Sequence, residues 1–410
     1  MTSPSTSATA GSTRPDFLSD FETSTAALRA ALTDLVLSVE ADPAAPQDLS
    51  RRFGINRTMA WKVSRMIASH DACELVQHLL GDSGVRILVD AFVANGAPTV
   101  AAEGVLEATD RFDRMVEQHA GSRPALELML TSMVPDRVDP GRVDASHELA
   151  FRGNSAILGV QAKVRIGAQI VAPNADEPDR VDIAVLSCLG GFRCLRPSTG
   201  WQVCSERAWG EGLRTQTEPL DPDVEPGEAP LVRAFSSSDL PPFHVRRSGD
   251  SRVYELGDAP VGRTAAFDAV FGWIDRAFAP IHGDEGADDV AEHGLVQDTP
   301  TEVVHMDLLL HEALPLEVAP AFKVVSLAQG RPEPPLSRAV EKHLPTNASV
   351  QLLGRPQALA TPGFAAYPRL VAQACERMGV EVDALRAYRV SLRFPPTPSQ
   401  FILYYPLPTR

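Results

Sequence analysis

Residues 46–67 read Pro-Gln-Asp-Leu-Ser-Arg-Arg-Phe-Gly-Ile-Asn-Arg-Thr-Met-Ala-Trp-Lys-Val-Ser-Arg-Met-Ile, and this stretch decides the fold of the N-terminal part of the chain. Its apolar residues recur at helical spacing on both sides of Gly54, which predicts two short helices joined by a turn. Gly54 suits the turn because glycine reaches positive φ at little steric cost. Asn56 is a good N-cap for the second helix. Both apolar stripes need a third helix to cover them.

The covering helix is predicted just upstream. Ser19, followed three residues later by Glu22, forms the pattern of a capping box, and apolar residues then recur at helical spacing. The prolines within 42–46 end this helix, because proline cannot continue a helix interior. We therefore expect a three-helix domain at residues 17–70, preceded by a disordered tail rich in Ser, Thr and Ala at residues 1–16.

The segment 46–67 resembles the helix-turn-helix of bacterial repressors, especially the isocitrate-lyase-regulator and lactose-repressor types. Small residues stand four positions before and six positions after the turn glycine, here Ser50 and Ala60. In those families the second helix faces base edges in the major groove of double-stranded DNA. The resemblance implies DNA contacts from these residues: Arg57, Thr58, Trp61 and Lys62 at bases, Arg65 with Arg51 or Arg52 nearer to phosphates, and Asn56 at the start of the helix.

The distribution of charge confines any contact with DNA to the basic segment 46–67. Residues 46–67 hold five cations against one anion, whereas the whole chain has a net charge of −15. Residues 1–150 contribute −8 and the remainder −7, so neither half is basic. An acidic body weakens non-specific affinity for DNA, which favours a homodimer that reads two half-sites.

The helical pattern continues beyond residue 70, with breaks at Gly81, at 95–98 and at 121–124. It predicts four more helices, the first of which stands where a winged repressor would have a β-hairpin. We interpret residues 71–135 as a helical connector or dimerisation element. A polar connector is expected at residues 135–146.

From residue 150 onward, alternation of apolar and polar residues predicts strands. The fold class expected is therefore multidomain: an all-α N-terminal part, comprising the helix-turn-helix and the helical connector, and an α+β sensor or interaction region at 150–410. The acidic loop near 282–300 is the candidate boundary between two lobes. The elements predicted include strands at 162–171, 181–189, 251–256, 302–310, 322–327, 388–394 and 401–405, helices at 264–277 and 367–378, a hairpin turn at Gly190-Gly191 and a loop at 211–230.

The polar residues of the predicted strand 302–310 suggest a metal-dependent enzyme as one alternative. His305, Asp307 and His311 share one face, since side chains an even number of positions apart point the same way. Imidazole and carboxylate together suit zinc or non-haem iron. However, at ~3.3 Å per residue His305 and His311 lie about 20 Å apart, too far for one ion. A metal would need a further ligand from the acidic loop.

Other catalytic signatures are missing from the sequence. The chain has no Gly-x-Ser-x-Gly elbow, no phosphate-binding Gly-x-x-x-x-Gly-Lys-Ser/Thr loop and no dinucleotide-binding fingerprint. The five cysteines form no Cys-x-x-Cys pair, so we expect buried free thiols. We therefore expect no catalytic residues, no metal and no cofactor.

The leading hypothesis is a cytoplasmic, homodimeric, DNA-binding transcriptional regulator whose C-terminal region senses a small-molecule effector or a partner. No apolar run is long enough to span a membrane, and the N-terminus lacks the cationic start and apolar core of a signal peptide. The alternative is a structural or assembly protein that uses its helical segment for protein contacts. The second alternative is the metal-dependent enzyme built around His305 and Asp307.

Overall fold

The chain forms two compact units, which divide between Pro140 and Gly141. The structure, a computed structural model, describes residues 16–133, 140–197, 200–206, 213, 216–225, 227–248, 251–284, 289–316, 318–354 and 358–409. Except for Asp16, the tail expected at residues 1–16 lies outside the described residues, and so do residues 285–288 of the acidic loop near 282–300.

The first unit is built from helices, as its sequence predicts. The helices in its described residues are α1 Phe17–Leu37, α2 Pro46–Phe53, α3 Arg57–Ala68, α4 Ala72–Val76, α5 Asp82–Ala94, α6 Thr99–His119 and α7 Arg123–Met133. The breaks fall at the expected Gly and Pro positions, because these residues end helices for local steric reasons.

Helix α1 begins three residues earlier than the predicted capping box requires. Asp16 is the N-cap residue, with extended backbone and no side-chain capping bond, so the box of Ser19 and Glu22 does not form. Phe17 stacks on Phe21 with ring centroids 5.5 Å apart, and Phe21 is buried. Packing of half-buried Phe17 on buried Phe21 explains why the helix extends past the local capping signal.

One apolar core joins the predicted three-helix domain to the helices that follow it. It contains Leu32 of α1, Leu49 of α2 and Val63 of α3 together with Leu88 of α5. Across it the ring of Phe53 stacks on that of Phe92, with centroids 3.9 Å apart. The boundary predicted at residue 70 therefore runs through a shared core, because α1 alone does not cover both short helices.

The second unit opens with a helix where we had expected part of a polar connector. Helix α8 spans Pro140–Leu158 and covers residues 140–146 of that connector, while residues 135–139 lie outside the described part of the chain. Most described side chains of α8 are exposed or half-buried, whereas Ser155 is buried and Phe151 lies against Phe394, with ring centroids 5.2 Å apart.

In the rest of the second unit, the described residues form three sheets, one further α-helix and short 3-10 turns, which is the expected α+β layout. The helix is α9 Tyr367–Met378. The strands are β1 Val160–Pro173, β2 Arg180–Cys194, β3 Trp201–Glu206, β4 Gln216–Pro219, β5 Phe243–Ser248, β6 Ser251–Leu256, β7 Phe267–Pro280, β8 Val290–Gln297, β9 Thr301–His311, β10 Ala321–Ser326, β11 His343–Leu344, β12 Gln351–Leu352, β13 Leu385–Arg393 and β14 Ser399–Pro406.

The sheets stack in layers around the long strands β1 and β2. The seven-stranded sheet has the order β12-β13-β9-β1-β2-β7-β4, in which β1 and β9 are parallel. Helix α9 packs on one face, where Ile166, Leu186 and Leu370 share a core. The four-stranded sheet β11-β10-β14-β8 and the three-stranded sheet β3-β6-β5 contribute to the cores on the other face. A cavity of about 590 Å³ lies between the seven-stranded and four-stranded sheets.

The hairpin predicted at Gly190-Gly191 is wrong, because β2 continues through both glycines. Pairing with β7 shifts register between Leu189 and Phe192, and Gly191 has φ +58°, as expected of a β-bulge. A Cβ at Gly190 would come 2.6 Å from the side chain of Val164. The glycines therefore permit a bulge and a close strand approach within the sheet.

Three further expectations in this unit fail at the level of secondary structure. The helix predicted at 264–277 is mainly strand β7, whose Ile274 and Phe271 belong to two different cores. Part of the loop predicted at 211–230 is strand β4, which pairs with β7. The acidic loop near 282–300 contains β8, which pairs with β14. Each of these strands is specified by distant pairing partners.

The described cysteines are free thiols, and four of the five are buried. Among the described residues, none of the helices is both long enough and apolar enough to cross a bilayer.

Candidate functional site

The turn between α2 and α3 is held by the residues that the sequence singled out. Gly54 adopts φ +66°, in the left-handed region. Oδ1 of Asn56 accepts a hydrogen bond of 2.7 Å from the N–H of Met59, which caps α3. The Ser50 hydroxyl donates to the carbonyl of Ile55 at 2.7 Å. These contacts fix where α3 begins and how it leaves the turn.

Helix α3 buries one face and presents the other to solvent. Met59, Val63 and Met66 lie in the shared core. The side chains of Arg57 and Thr58 are exposed, and neither makes a side-chain hydrogen bond or ion pair with the described part of the chain. They stand in the first turn, where the helix dipole is positive and favours an approaching anion.

Trp61 continues the exposed face one turn further along α3. It is 45% exposed, and the edge of its ring meets the imidazole of His78 with centroids 5.1 Å apart. The guanidinium of Arg65 lies 5.6 Å from the Trp61 ring centroid, as a cation–π pair. His78 was missed by the sequence reasoning, since no spacing rule connects it to Trp61.

The imidazole of His78 adds no cation to this surface near neutral pH. Burial lowers its pKa, with the positive charge of Arg65 as the next cause, while Glu74 acts in the opposite direction. Arg65, by contrast, carries its charge on the exposed side of α3. The cationic groups that α3 exposes are thus those of Arg57 and Arg65, with Trp61 between them.

Two of the basic residues implied by the resemblance are used within the protein. Nη2 of Arg52 donates to the carbonyl of Val39 at 2.6 Å, just beyond the end of α1. Lys62 is half-buried, and its Nζ donates to the carbonyl of Leu79 at 3.3 Å. Arg51 is exposed, and its only ion pair with the described residues is a 4.0 Å contact to exposed Asp48, which is weak at such exposure.

The residues suggested as metal ligands in β9 are held by neighbouring side chains. Both oxygens of Asp307 accept hydrogen bonds from Arg389, at 2.8 and 2.7 Å, and the hydroxyl of Tyr367 donates to one of them at 2.7 Å. His305 lies within hydrogen-bond distance of Ser391 and Thr361. Within the described ranges, no group of three or more His, Cys, Asp or Glu side chains is placed to hold a metal ion.

Asp307 shifts the pKa values of the two side chains that hydrogen-bond to it. Burial raises the pKa of Tyr367, and the charge of Asp307 acts in the same direction. The hydrogen bonds and charge of Asp307 outweigh the burial of Arg389 and raise the pKa of its guanidinium. The phenol of Tyr367 is therefore neutral beside this buried ion pair, and Asp307 accepts three hydrogen bonds from Arg389 and Tyr367.

The exposed face of α3 is thus the surface that brings most of the sequence-derived candidates together: Arg57, Thr58, Trp61 and Arg65, with Asn56 at its start. Comparisons of this chain with protein-family models, with curated proteins and with solved structures each return no match.

Proposed function

We propose that the protein is a DNA-binding transcriptional regulator, in which α2, the turn at Gly54 and α3 form a helix-turn-helix. The observation that carries the proposal is the exposed face of α3, with Arg57 and Thr58 in its first turn and Arg65 two turns further on. Recognition helices of this kind read bases from their N-terminal residues. Helix α2 would then cross the DNA backbone.

Each exposed residue of α3 has a chemical role in this proposal. Arg57 would donate to O6 and N7 of a guanine, and Thr58 would contact a thymine methyl. Arg65 and Arg51 would neutralise phosphates. Trp61 would form the apolar centre of the interface, because its ring is already ordered by His78 and Arg65.

The contacts of Lys62 and Arg52 with backbone carbonyls narrow the set of DNA-binding residues. Both cations are held by carbonyl oxygens of the protein's own chain, at 3.3 and 2.6 Å. Breaking such a charge-assisted bond would offset part of what a phosphate contact gains. We therefore assign base contacts to Arg57 and Thr58, phosphate contacts to Arg65 and Arg51, and structural roles to Arg52 and Lys62.

The net charge of the chain favours a dimeric DNA-binding protein. With a net charge of −15 and few exposed cations on α3, a single module would bind DNA weakly. We infer a cytoplasmic homodimer that reads two half-sites, with the second unit as the sensor of a small effector. An effector would act through its differential affinity for two states of the dimer.

A fluorescence anisotropy titration tests the proposal directly. Wild-type protein is titrated against labelled duplexes selected from a randomised library, beside Arg57→Ala, Arg65→Ala and Arg111→Ala. Arg111 is an exposed cation on α6 and is the matched control, since its replacement removes the same charge outside α2 and α3. Each base contact contributes roughly 1–3 kcal/mol, so Arg57→Ala should weaken binding by about 5- to 150-fold.

The outcomes separate the proposal from its alternative. Weakened binding for Arg57→Ala and Arg65→Ala, with Arg111→Ala close to wild type and all helical spectra unchanged, supports DNA reading by α3. Failure to select any duplex, or equal affinity for all four proteins, contradicts it. If the exposed face of α3 binds a protein and not DNA, the structural or assembly function is favoured.

A further inference from the structure

The cavity of the second unit has the size and lining of a small-molecule site. Its volume is about 590 Å³, within the range of roughly 300–1,000 Å³ usual for ligand pockets. Apolar side chains from the two facing sheets and their connections form much of its wall, among them Val185, Phe278, Ile281, Met306 and Leu314. An apolar ligand body of moderate size would replace water in this space.

A buried arginine lies in the wall at one end of this cavity. Arg165 projects from β1 and is 8% exposed. Its Nη1 donates to the carbonyl of Val203 at 3.0 Å, whereas its Nε–H is buried without a hydrogen-bond partner. No carboxylate of the described residues lies within ion-pair distance of its guanidinium. Burial lowers the pKa of this arginine, while the neighbouring Cys204, Cys188 and Asp298 act in the opposite direction.

The other buried arginine described in this unit provides the contrast. Arg389 is 6% exposed and is held by both oxygens of Asp307. A buried charge without such a counter-ion costs several kcal/mol, and folded proteins rarely leave one uncompensated. Arg165 therefore has the burial of a structural arginine but lacks the partner that a structural arginine needs.

A second polar group without a good hydrogen bond lies beside it. Ser187 is 4% exposed, and its hydroxyl sits next to the thiol of Cys204 without a hydrogen bond of good geometry. In the β1–β2 pairing Ser187 stands opposite Gly167 and Arg165 opposite Leu189, which makes Arg165 and Ser187 diagonal neighbours on the cavity face. Two buried donors without a hydrogen-bond partner thus lie side by side in the wall at one end of the cavity.

Among the carboxylates of the wall, Asp307 is held by Arg389 and Tyr367, and Asp275 lies away from this end. Asp275 of β7 pairs with Ile183 of β2, and Ile183 pairs with Val171 of β1. Val171 lies six residues from Arg165, so about 20 Å along the strand direction separates Asp275 from Arg165. Asp275 accepts hydrogen bonds from Thr217 and from the Trp273 indole. The carboxylates of Asp289 and Glu292 accept from backbone N–H groups. These carboxylates are therefore taken up by other groups, and the Nε–H of Arg165 keeps no partner among the described residues.

We propose that this cavity binds a small organic acid with an apolar body, and that Arg165 and Ser187 hold its carboxylate. The guanidinium Nε–H and the serine hydroxyl donate to the carboxylate oxygens, and the apolar body lies along the walls formed by Val185, Phe278 and Met306. Binding of an organic acid at this site would be an activity separate from DNA binding. As the effector site of the regulator it rests on the proposed function, but occupancy is measured without DNA, so either claim can fail alone.

Thermal unfolding and isothermal titration with defined probes test the site. Hexanoate, decanoate and naphthoate serve as acids, and decanol serves as the uncharged partner of decanoate. The full chain is compared with Arg165→Met, which keeps the length and apolar stem of the side chain, and with Arg386→Met, an exposed arginine outside the cavity. The wild type and Arg386→Met should be stabilised by at least one acid and prefer decanoate to decanol about tenfold or more, as a charge-assisted contact implies.

In Arg165→Met the preference for decanoate over decanol should disappear. The ligand-free Arg165→Met protein should unfold at the same or a higher temperature than the wild type, since a buried cation without a counter-ion has been removed. Two results would overturn the site: no stabilisation of the wild type by any acid, or equal acid preference in Arg165→Met. A large drop in the unfolding temperature of ligand-free Arg165→Met would show instead that Arg165 serves the fold.

Discussion

Arg389→Met should strongly destabilise the second unit, because it strands a carboxylate in the core. The side chain of Asp307 has no exposed surface and that of Arg389 is 8% exposed. Removing one partner of a buried ion pair costs about 3–5 kcal/mol. The Tyr367 hydroxyl still donates to Asp307 at 2.7 Å, which places the expected loss near the lower end, about 3 kcal/mol.

The double variant Asp307→Asn/Arg389→Met provides the internal control. It removes both charges, so most of the loss should be recovered, leaving about 1–2 kcal/mol for the unpaired amide and the carbonyl of Leu359, which accepts from Arg389 at 3.1 Å. Recovery in the double variant distinguishes charge pairing from simple loss of volume.

Urea denaturation followed by tryptophan fluorescence measures these losses. The measurement is made in a Trp61→Phe background, because the remaining tryptophans, Trp201, Trp209 and Trp273, all follow residue 140 and report on the second unit. A loss below about 1 kcal/mol for Arg389→Met, or a double variant no more stable than the single one, would refute the reasoning.

Two further predictions concern the α3 cap and a buried histidine. Asn56→Ala should destabilise the first unit by about 1 kcal/mol through loss of the N-cap, whereas Asn56→Asp should keep the cap and weaken DNA binding by adding an anion; equal behaviour of both in urea denaturation and anisotropy would contradict this. Burial lowers the pKa of His293 to about 4, so the unfolded chain takes up a proton that the folded chain does not as pH falls below 6.5. The wild type should lose about 2 kcal/mol of stability from this site between pH 7 and pH 5, and a His293→Gln variant with the same pH dependence as the wild type would be inconsistent with it.

The elements that sequence reasoning found are those specified by local chemistry. The Gly54 turn and the Asn56 cap depend on glycine reaching positive φ and on an amide oxygen three residues before an N–H. The Gly and Pro breaks between the first unit's helices are local in the same way. These features could be predicted because nothing far along the chain has to be known.

The features that were missed depend on distant partners. Strand β7 contains an apolar run that fits a helix as well as a strand, and only its burial on both faces decides between them. Gly190-Gly191 gives a turn signal in isolation, yet the pairing of β2 with β1 and β7 continues through it. The ion pair of Asp307 likewise joins β9 to β13, which are 82 residues apart at Asp307 and Arg389.

The candidate site was predicted in part. Exposure of Arg57, Thr58 and Arg65 follows from helical periodicity, because residues opposite a buried stripe face solvent. The contacts of Lys62 with Leu79 and of Arg52 with Val39 could not be read from the sequence, since they depend on how the chain packs beyond each helix. Arg165 is visible, with Lys163, as one of two cations in an apolar strand, but its lack of a counter-ion emerges only from the packed sheets.

The salt dependence of DNA binding by α3 tests the central claim most directly. For wild-type protein and the Arg57→Ala/Arg65→Ala double variant, the logarithm of the binding constant is measured against the logarithm of salt concentration on one selected duplex. Each phosphate contact contributes about 0.9 to the slope. The account predicts that the double variant binds more weakly and has a slope smaller by about 1, the share of Arg65 as a phosphate contact. An unchanged slope and affinity, or a wild type that binds no duplex at low salt, would contradict it.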